Sequence, residues 1–389
     1  MTKYDFDRAV ERKGTYSAKW ECMNLISPHT TEDTLPMWVA DMDFSCPPEV
    51  MEALHKRVDN QIFGYSMADD DYYQSVTGWF RRRFGWEVDR KDIIITSGIL
   101  PALENLIDAF SEQGEGVIIQ PPVYHKFADI INHKQRTIVN SPLIDNEGYY
   151  TIDFADLEQK ASDPNNKIML FCSPHNPAGR VWSESELRRV GEICLCHDVL
   201  LVSDEIHFDL VRQGVVHRPL AALFPEDNRI ITCTAPSKTF NMAGLHMSNI
   251  VIQNDDFKKR WNEVAGFAMP SPLGIAAVKA VYDHGEEWLE ELKLYLDNNF
   301  QFAKEYIEEH LPKVNFVVPA GTYFIWLNMK RLDLSAKELD NIFIKEANVL
   351  PEGGTMFGEE GNGYQRLNIA CPRSTLEEGL RRIVQAFKS

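Results

Sequence analysis

The chain has 389 residues with 40 basic and 58 acidic side chains, a net charge of −18, which allows two or three domains with ample core and argues against nucleic acid or an anionic membrane as main partner. No apolar leader follows Met1-Thr2-Lys3-Tyr4-Asp5 and no apolar run approaches transmembrane length, so the expectation is a cytoplasmic protein. Seven cysteines, an odd number without a C-x-x-C pair, support neither a disulfide framework nor a zinc site.

Residues 1–48 read as an irregular arm, ending in a packed loop around Val39, Ala40 and Asp41 that has neither helical nor strand periodicity. Residues 49–60 have helical spacing, and the loop after them holds Gly64-Tyr65. Residues 70–83 read as a helix. The strand 92–96 runs directly into Ser97-Gly98-Ile99-Leu100-Pro101. There Ser97 suits a helix N-cap, Gly98 permits close backbone approach and Pro101 fits the first turn. Free N–H groups at such a start favour an anion.

The next strand, 116–120, ends in Pro121-Pro122-Val123-Tyr124, where the prolines hold a flat aromatic. The strand 167–172 ends in Ser173-Pro174-His175-Asn176-Pro177-Ala178-Gly179-Arg180. Ser183 and Glu186 form a capping box at the start of a helix running to 196. The apolar run 199–203 reads as a strand covered on both faces. It ends in Asp204-Glu205-Ile206-His207-Phe208-Asp209. Alternate side chains of an extended segment point to opposite faces, so these acids do not converge on a metal. A further buried strand starts at 228. Lys238 follows it in Ser237-Lys238-Thr239-Phe240-Asn241, ahead of the apolar strand 248–252. A lysine so placed must be neutral, paired or covalently bonded.

Residues 269–282 and 286–310 read as helices. From about 312 the pattern becomes strand, strand, helix: a strand over 314–318, a second within 319–329, a helix over 335–348, a strand over 365–370, then Cys371-Pro372-Arg373 and a final helix. The expected division is an arm over 1–48, a large domain over 49–285 and a small C-terminal α/β domain over 286–389.

In open α/β sheets, ligands bind beyond the carboxyl ends of the strands. An asparagine, an aspartate and a lysine therefore follow one another at strand ends: Asn176, Asp204 and Lys238. Pyridoxal 5′-phosphate (PLP) needs such a set: a lysine for its aldehyde, an acid for its pyridinium nitrogen and a donor for its ring hydroxyl. The ordered motifs Asn-Pro-x-Gly, Asp-Glu-Ile-His and Ser-Lys-Thr-Phe-Asn-x-Ala-Gly-Leu resemble those of fold-type I PLP-dependent enzymes. Within these the chain is similar to the cystathionine β-lyase (C–S lyase) branch of the PatB/MalY type, over essentially its whole length.

The resemblance implies a mostly parallel seven-stranded sheet between helices, a smaller C-terminal α/β domain, and PLP as cofactor. It implies catalytic roles for Lys238, Asp204 and Tyr124, the last stacked on the ring, and phosphate contacts from Gly98, Ile99, Leu100, Ser237 and His246. It places His207 near the ring hydroxyl. Arg373 would clamp the substrate α-carboxylate, Asn176 would bond the ring hydroxyl and contact the substrate, and Val39 and Ala40 would line the substrate side. It further implies a homodimer in which Tyr65 reaches the neighbouring site. His207 and His246 stand where aminotransferases commonly carry tyrosine and arginine; both count against an aminotransferase, and the change at His246 fits the lyase branch. The expected reaction is cleavage of cystathionine or another cysteine thioether to thiol, pyruvate and ammonia. An aminotransferase on the same scaffold, and a regulator of the MalY kind acting by protein binding, stay open as alternatives.

Overall fold

The computed structural model describes residues 3–266 and 269–388. Its centre is a seven-stranded sheet built, in chain order, from β1 (Ile93–Thr96), β2 (Gly116–Ile119), β3 (Thr137–Asn140), β4 (Asn166–Cys172), β5 (Leu200–Asp204), β6 (Ile230–Thr234) and β7 (Ser248–Val251). The spatial order is β1-β7-β6-β5-β4-β2-β3. All neighbours are parallel except β7, which runs antiparallel to both β1 and β6.

The central strands are continuous apolar runs because both faces are covered. Successive side chains enter opposite cores. Ile118, Met169, Phe171 and Leu201 join one cluster, while Val117, Ile119, Ile168, Leu170 and Val202 join the other.

Four helices set the approach to the site. α1 (Pro48–Asp59) packs on α4 (Pro272–His284). α2 (Asp70–Phe84) is capped by Asp69, whose side chain accepts from Tyr72 N, and closes on Gly85 at φ 62°. α3 (Ile99–Phe110) follows β1 after two residues. Its N-cap is Gly98 rather than Ser97, and no side chain caps it. The reason is the backbone of Gly98, at φ 154° and ψ 164°, which glycine adopts more freely than any other residue. The expected capping box is present: Ser183 and Glu186 bond reciprocally at the start of the helix Glu184–Cys196.

A 25-residue helix, α5 (Glu286–His310), leads to a second, three-stranded antiparallel sheet. Its strands are β8 (Phe324–Asn328), β9 (Glu352–Gly353) and β10 (Tyr364–Asn368), in the order β8-β10-β9. The last helix, α6 (Arg373–Lys388), packs on α5. The expected strand at 314–318 forms only an isolated bridge, Asn315 with Asn328. The expected helix at 335–348 is α-helical over Ala336–Asn341 and widens to a π-turn over Ile342–Glu346.

The arm lies against this second sheet. Leu35–Pro36 pairs in parallel with Val349–Leu350, Asn368 N donates to Met37 O at 2.8 Å, and Asp43 N donates to Ala370 O at 2.9 Å. A buried ion cluster fixes the loop above. Asp43 accepts from Lys19 Nζ at 2.6 Å, Arg12 Nη1 at 2.8 Å and Trp20 Nε1 at 3.0 Å. Burial opposes the Asp43 charge, but Lys19 foremost, with Trp20 and Arg12, holds its carboxyl below the usual range. No helix among the described residues is long and apolar enough to cross a membrane.

Candidate active site

The carboxyl ends of β1, β4 and β5 and the turn after β6 face one cleft of about 790 Å³, including its open mouth. Lys238 enters it from a short helix, Pro236–Thr239. That turn is held from behind by Asp209, whose carboxylate accepts from Thr239 Oγ1 at 3.0 Å and from Trp79 Nε1 at 3.1 Å. The following Asn241 ties it to the arm, donating to Met42 O and Phe44 O and accepting from Met42 N. Lys238 Nζ donates to Ala40 O at 2.7 Å, a carbonyl shared with Tyr323 Oη at 2.9 Å. Burial pushes the Lys238 ammonium down to about 8; Arg366 acts in the same direction, against Asp41, Asp204 and Glu352.

Asp204, the last residue of β5, is 5% exposed and lines the same cleft. Burial pushes its carboxyl up to about 7, with Glu205 adding to the rise, while the Ile206 N–H at 3.1 Å and Lys238 resist it. Its acidic neighbours turn elsewhere. Glu205 meets His217 at 2.7 Å and accepts from Ser203 Oγ and Leu220 N, and Asp209 supports the Lys238 turn. His207 lines the cleft between the rings of Tyr323 and Phe324. Burial holds it well below its ordinary pKa, so it is neutral, and Nδ1 has no hydrogen-bond partner.

Gly98, Ile99 and Leu100 form the wall at the uncapped start of α3, and Ser237 and His246 face the same cleft. Tyr124 lines it as well, its hydroxyl pushed up to about 12 by burial and by Glu352. Asn176 completes the set brought together from distant parts of the chain. Ala40 lines the cleft, whereas Val39 is not among its lining residues and offers its carbonyl to Asn368 Nδ2 at 2.6 Å.

The sequence model for class I and II aminotransferases matches residues 33–383. The chain belongs to this family. It is 42% identical to the cystathionine β-lyase PatB of Bacillus subtilis (strain 168), over 98% of this chain and 100% of that one. It is 32% identical to the protein MalY of Escherichia coli (strain K12), over 99% of each chain. Its backbone superposes on cystalysin of Treponema denticola, whose crystal structure contains PLP, with a TM-score of 0.96 at 38% identity, covering 99% of both chains. The seven-stranded, mostly parallel sheet and smaller second domain are those of the fold-type I PLP enzymes.

On this class I and II scaffold, two residues expected in the cleft, Val39 and Arg373, do not line it. Arg373, the first residue of α6, does not line the cleft. Its Nε donates to Asn299 Oδ1 at 3.0 Å, and its guanidinium lies 4.4 Å from the Phe302 ring centre. The bond to Asn299, on α5, ties Arg373 to that helix. Arg366, in the middle of β10, does not line the cleft either, but it bonds a residue that does. It is 2% exposed and its Nη1 donates to Asn176 Oδ1 at 2.8 Å. A charge inside a strand, between Gln365 and Leu367, was the signal for it in the sequence. Tyr65 is 96% exposed and outside the cleft of its own chain.

Proposed function

We propose that this protein is a PLP-dependent C–S β-lyase that converts a cysteine thioether and water to a thiol, pyruvate and ammonium. One observation carries the reading: a buried amine with its pKa near 8 and a buried carboxyl with its pKa near 7 share a cleft that also holds an uncapped helix start. The residues fit the cofactor. Asp204, which accepts one hydrogen bond from Ile206, suits a pyridinium N–H. Lys238 suits the aldehyde, and the partnerless Nδ1 of His207 and the side chain of Asn176 suit the ring hydroxyl. The amide end of α3, with Ser237 and His246, suits the phosphate. The flat face of Tyr124 suits the ring.

PLP, when bound, supplies an electron sink for the Cα–H bond. Lys238 is the base that takes the Cα proton, and its depressed pKa keeps part of it neutral near pH 7. The proton that Lys238 takes from Cα would then be available to the thiolate leaving Cβ. Arg366, anchored by Asn176, holds the α-carboxylate in place of Arg373. The relatives named β-lyase or C–S lyase support elimination over amino transfer.

The active unit is a homodimer in which Tyr65 serves the neighbouring site. The exposure of Ile62, Phe63, Tyr65 and Met67 in one segment without helix or strand supports this. The large PLP-binding domain is 49–285, and the small domain 286–389 carries the arm 1–48 as a cover. A side-by-side assay tests the function: pyruvate and thiol release from cystathionine and S-alkyl cysteines, against 2-oxo acid exchange. Release of pyruvate is expected. Amino-group exchange without pyruvate would make it an aminotransferase.

A further inference from the structure

Glu352 stands directly opposite Arg366 in the β9–β10 pairing. Both side chains are nearly sealed, at 8% and 2% exposure. Arg366 Nη2 donates to the Glu352 carboxylate and, at 2.9 Å, to Trp38 O. Nη1 donates to Asn176, while Nε has no partner. The rings of Phe324 and Phe357 lie 4.1 Å and 5.0 Å from the guanidinium, so it cannot swing freely to present another edge.

A carboxylate forks onto a guanidinium through Nη2 paired with either Nε or Nη1. Each fork uses Nη2, whose bonds are already given to Glu352 and Trp38. A ligand carboxylate must therefore replace an internal one or share the cation with it. His125, whose Nδ1 lies 3.4 Å from Glu352 Oε1, adds no charge there, because burial lowers its pKa.

We propose that Glu352 determines specificity by competing with the substrate α-carboxylate for Arg366. This rests on Arg366 being the carboxylate clamp. Ligands whose only charged group is a carboxylate bind at a penalty, and those that also present an α-amino group overcome it through the Lys238 side of the site. The product pyruvate belongs to the first kind and the cysteine thioether to the second. The same competition thus speeds product departure and disfavours entry of a 2-oxo acid, the step that amino transfer would need.

The test uses the holoenzyme and an unreactive probe, 3-(methylthio)propionate, which has the carboxylate and thioether of S-methylcysteine but no amino group. Calorimetric dissociation constants are compared for wild type, E352Q and R366Q, each first shown to melt as a folded holoenzyme. Gln keeps an acceptor for Nη2 and removes the charge. E352Q should bind the probe about tenfold more tightly and show a lower KM for S-methylcysteine with a smaller change in kcat. R366Q should bind it at least about tenfold more weakly. Glu352→Asp, which retracts the charge by one methylene, should tighten binding to a lesser degree, and stands in if E352Q does not fold. If R366Q binds weakly but neither Glu352 variant gains affinity, the competition is refuted while the clamp stands. If R366Q binds the probe as wild type does, the clamp itself is wrong.

Discussion

The Asp204→Asn variant of the PLP-free protein tests the electrostatics of the site most directly. In the folded apoprotein burial raises the Asp204 carboxyl from 3.8 to about 7. The native state therefore holds this proton more tightly than the unfolded chain does. The contribution to stability is fully present below the unfolded pKa of 3.8 and is lost as pH rises through the folded value near 7. At about 1.4 kcal/mol per pKa unit, ionising the carboxylate in the fold costs about 4 kcal/mol in total. Between about pH 5 and about pH 8 the loss amounts to about 2–3 kcal/mol. Asparagine fills nearly the same space and does not titrate, so its own burial cost is the same at both pH values. Stability of the variant minus that of wild type should therefore swing by about 2–3 kcal/mol in favour of asparagine across that interval. Denaturant unfolding of both apoproteins in matched buffers reads it. With PLP bound the swing should disappear, because a pyridinium N–H then offsets the carboxylate charge. A stability difference that stays flat from acid to alkaline pH in the apoproteins would refute the burial argument for Asp204.

Three further outcomes follow from the same geometry. The rate at which apoprotein captures PLP, read from the absorbance of the bound cofactor, should rise with pH through about 8 and level off above it, because only neutral Lys238 attacks the aldehyde; a rate that falls over that range would contradict the assignment. R366Q should raise KM for a cysteine thioether at least about tenfold, while Arg373→Gln should leave it within about twofold; steady-state kinetics separates them, and the reverse order would restore Arg373 to the substrate. Gly179 sits at φ 64° and a Cβ there would lie 2.2 Å from Pro319 Cβ, so Gly179→Ala should cost about 1–3 kcal/mol in denaturant unfolding, whereas an unchanged midpoint would show that the turn after Asn176 is free to yield.

The large sheet and most of the cleft were legible because their signals are local. Runs such as Ile168-Met169-Leu170-Phe171 are apolar at every position, which only a doubly covered strand requires, and Asn176, Asp204 and Lys238 then fall at strand ends by simple counting. The second sheet was harder to read. Val314-Asn315-Phe316 has strand composition, yet finds one bridge partner and no ladder, since strand formation depends on a neighbour that composition cannot supply. The helix cap moved by one residue because Ser97 and Gly98 are both acceptable caps, and only the φ of Gly98 chooses.

Arg373 lies away from the cleft for a physical reason of the same kind. In the sequence Arg373 falls in the connection from a strand to a helix, the place where binding side chains usually sit, but it is the first residue of α6, and Asn299 and Phe302 engage it. Arg366 lies inside a strand, where a charge is normally excluded. Burying a guanidinium without an anion costs several kcal/mol, so its presence at 2% exposure requires a counter-charge. Glu352 is that group, placed by the register of a two-residue strand too short to be seen in the sequence. A site whose purpose were only to stabilise the fold could have used two apolar residues there at no loss. Retaining the ion pair beside Asn176 leaves a guanidinium that an incoming carboxylate can claim, and the strength of that claim against Glu352 sets which acids remain bound.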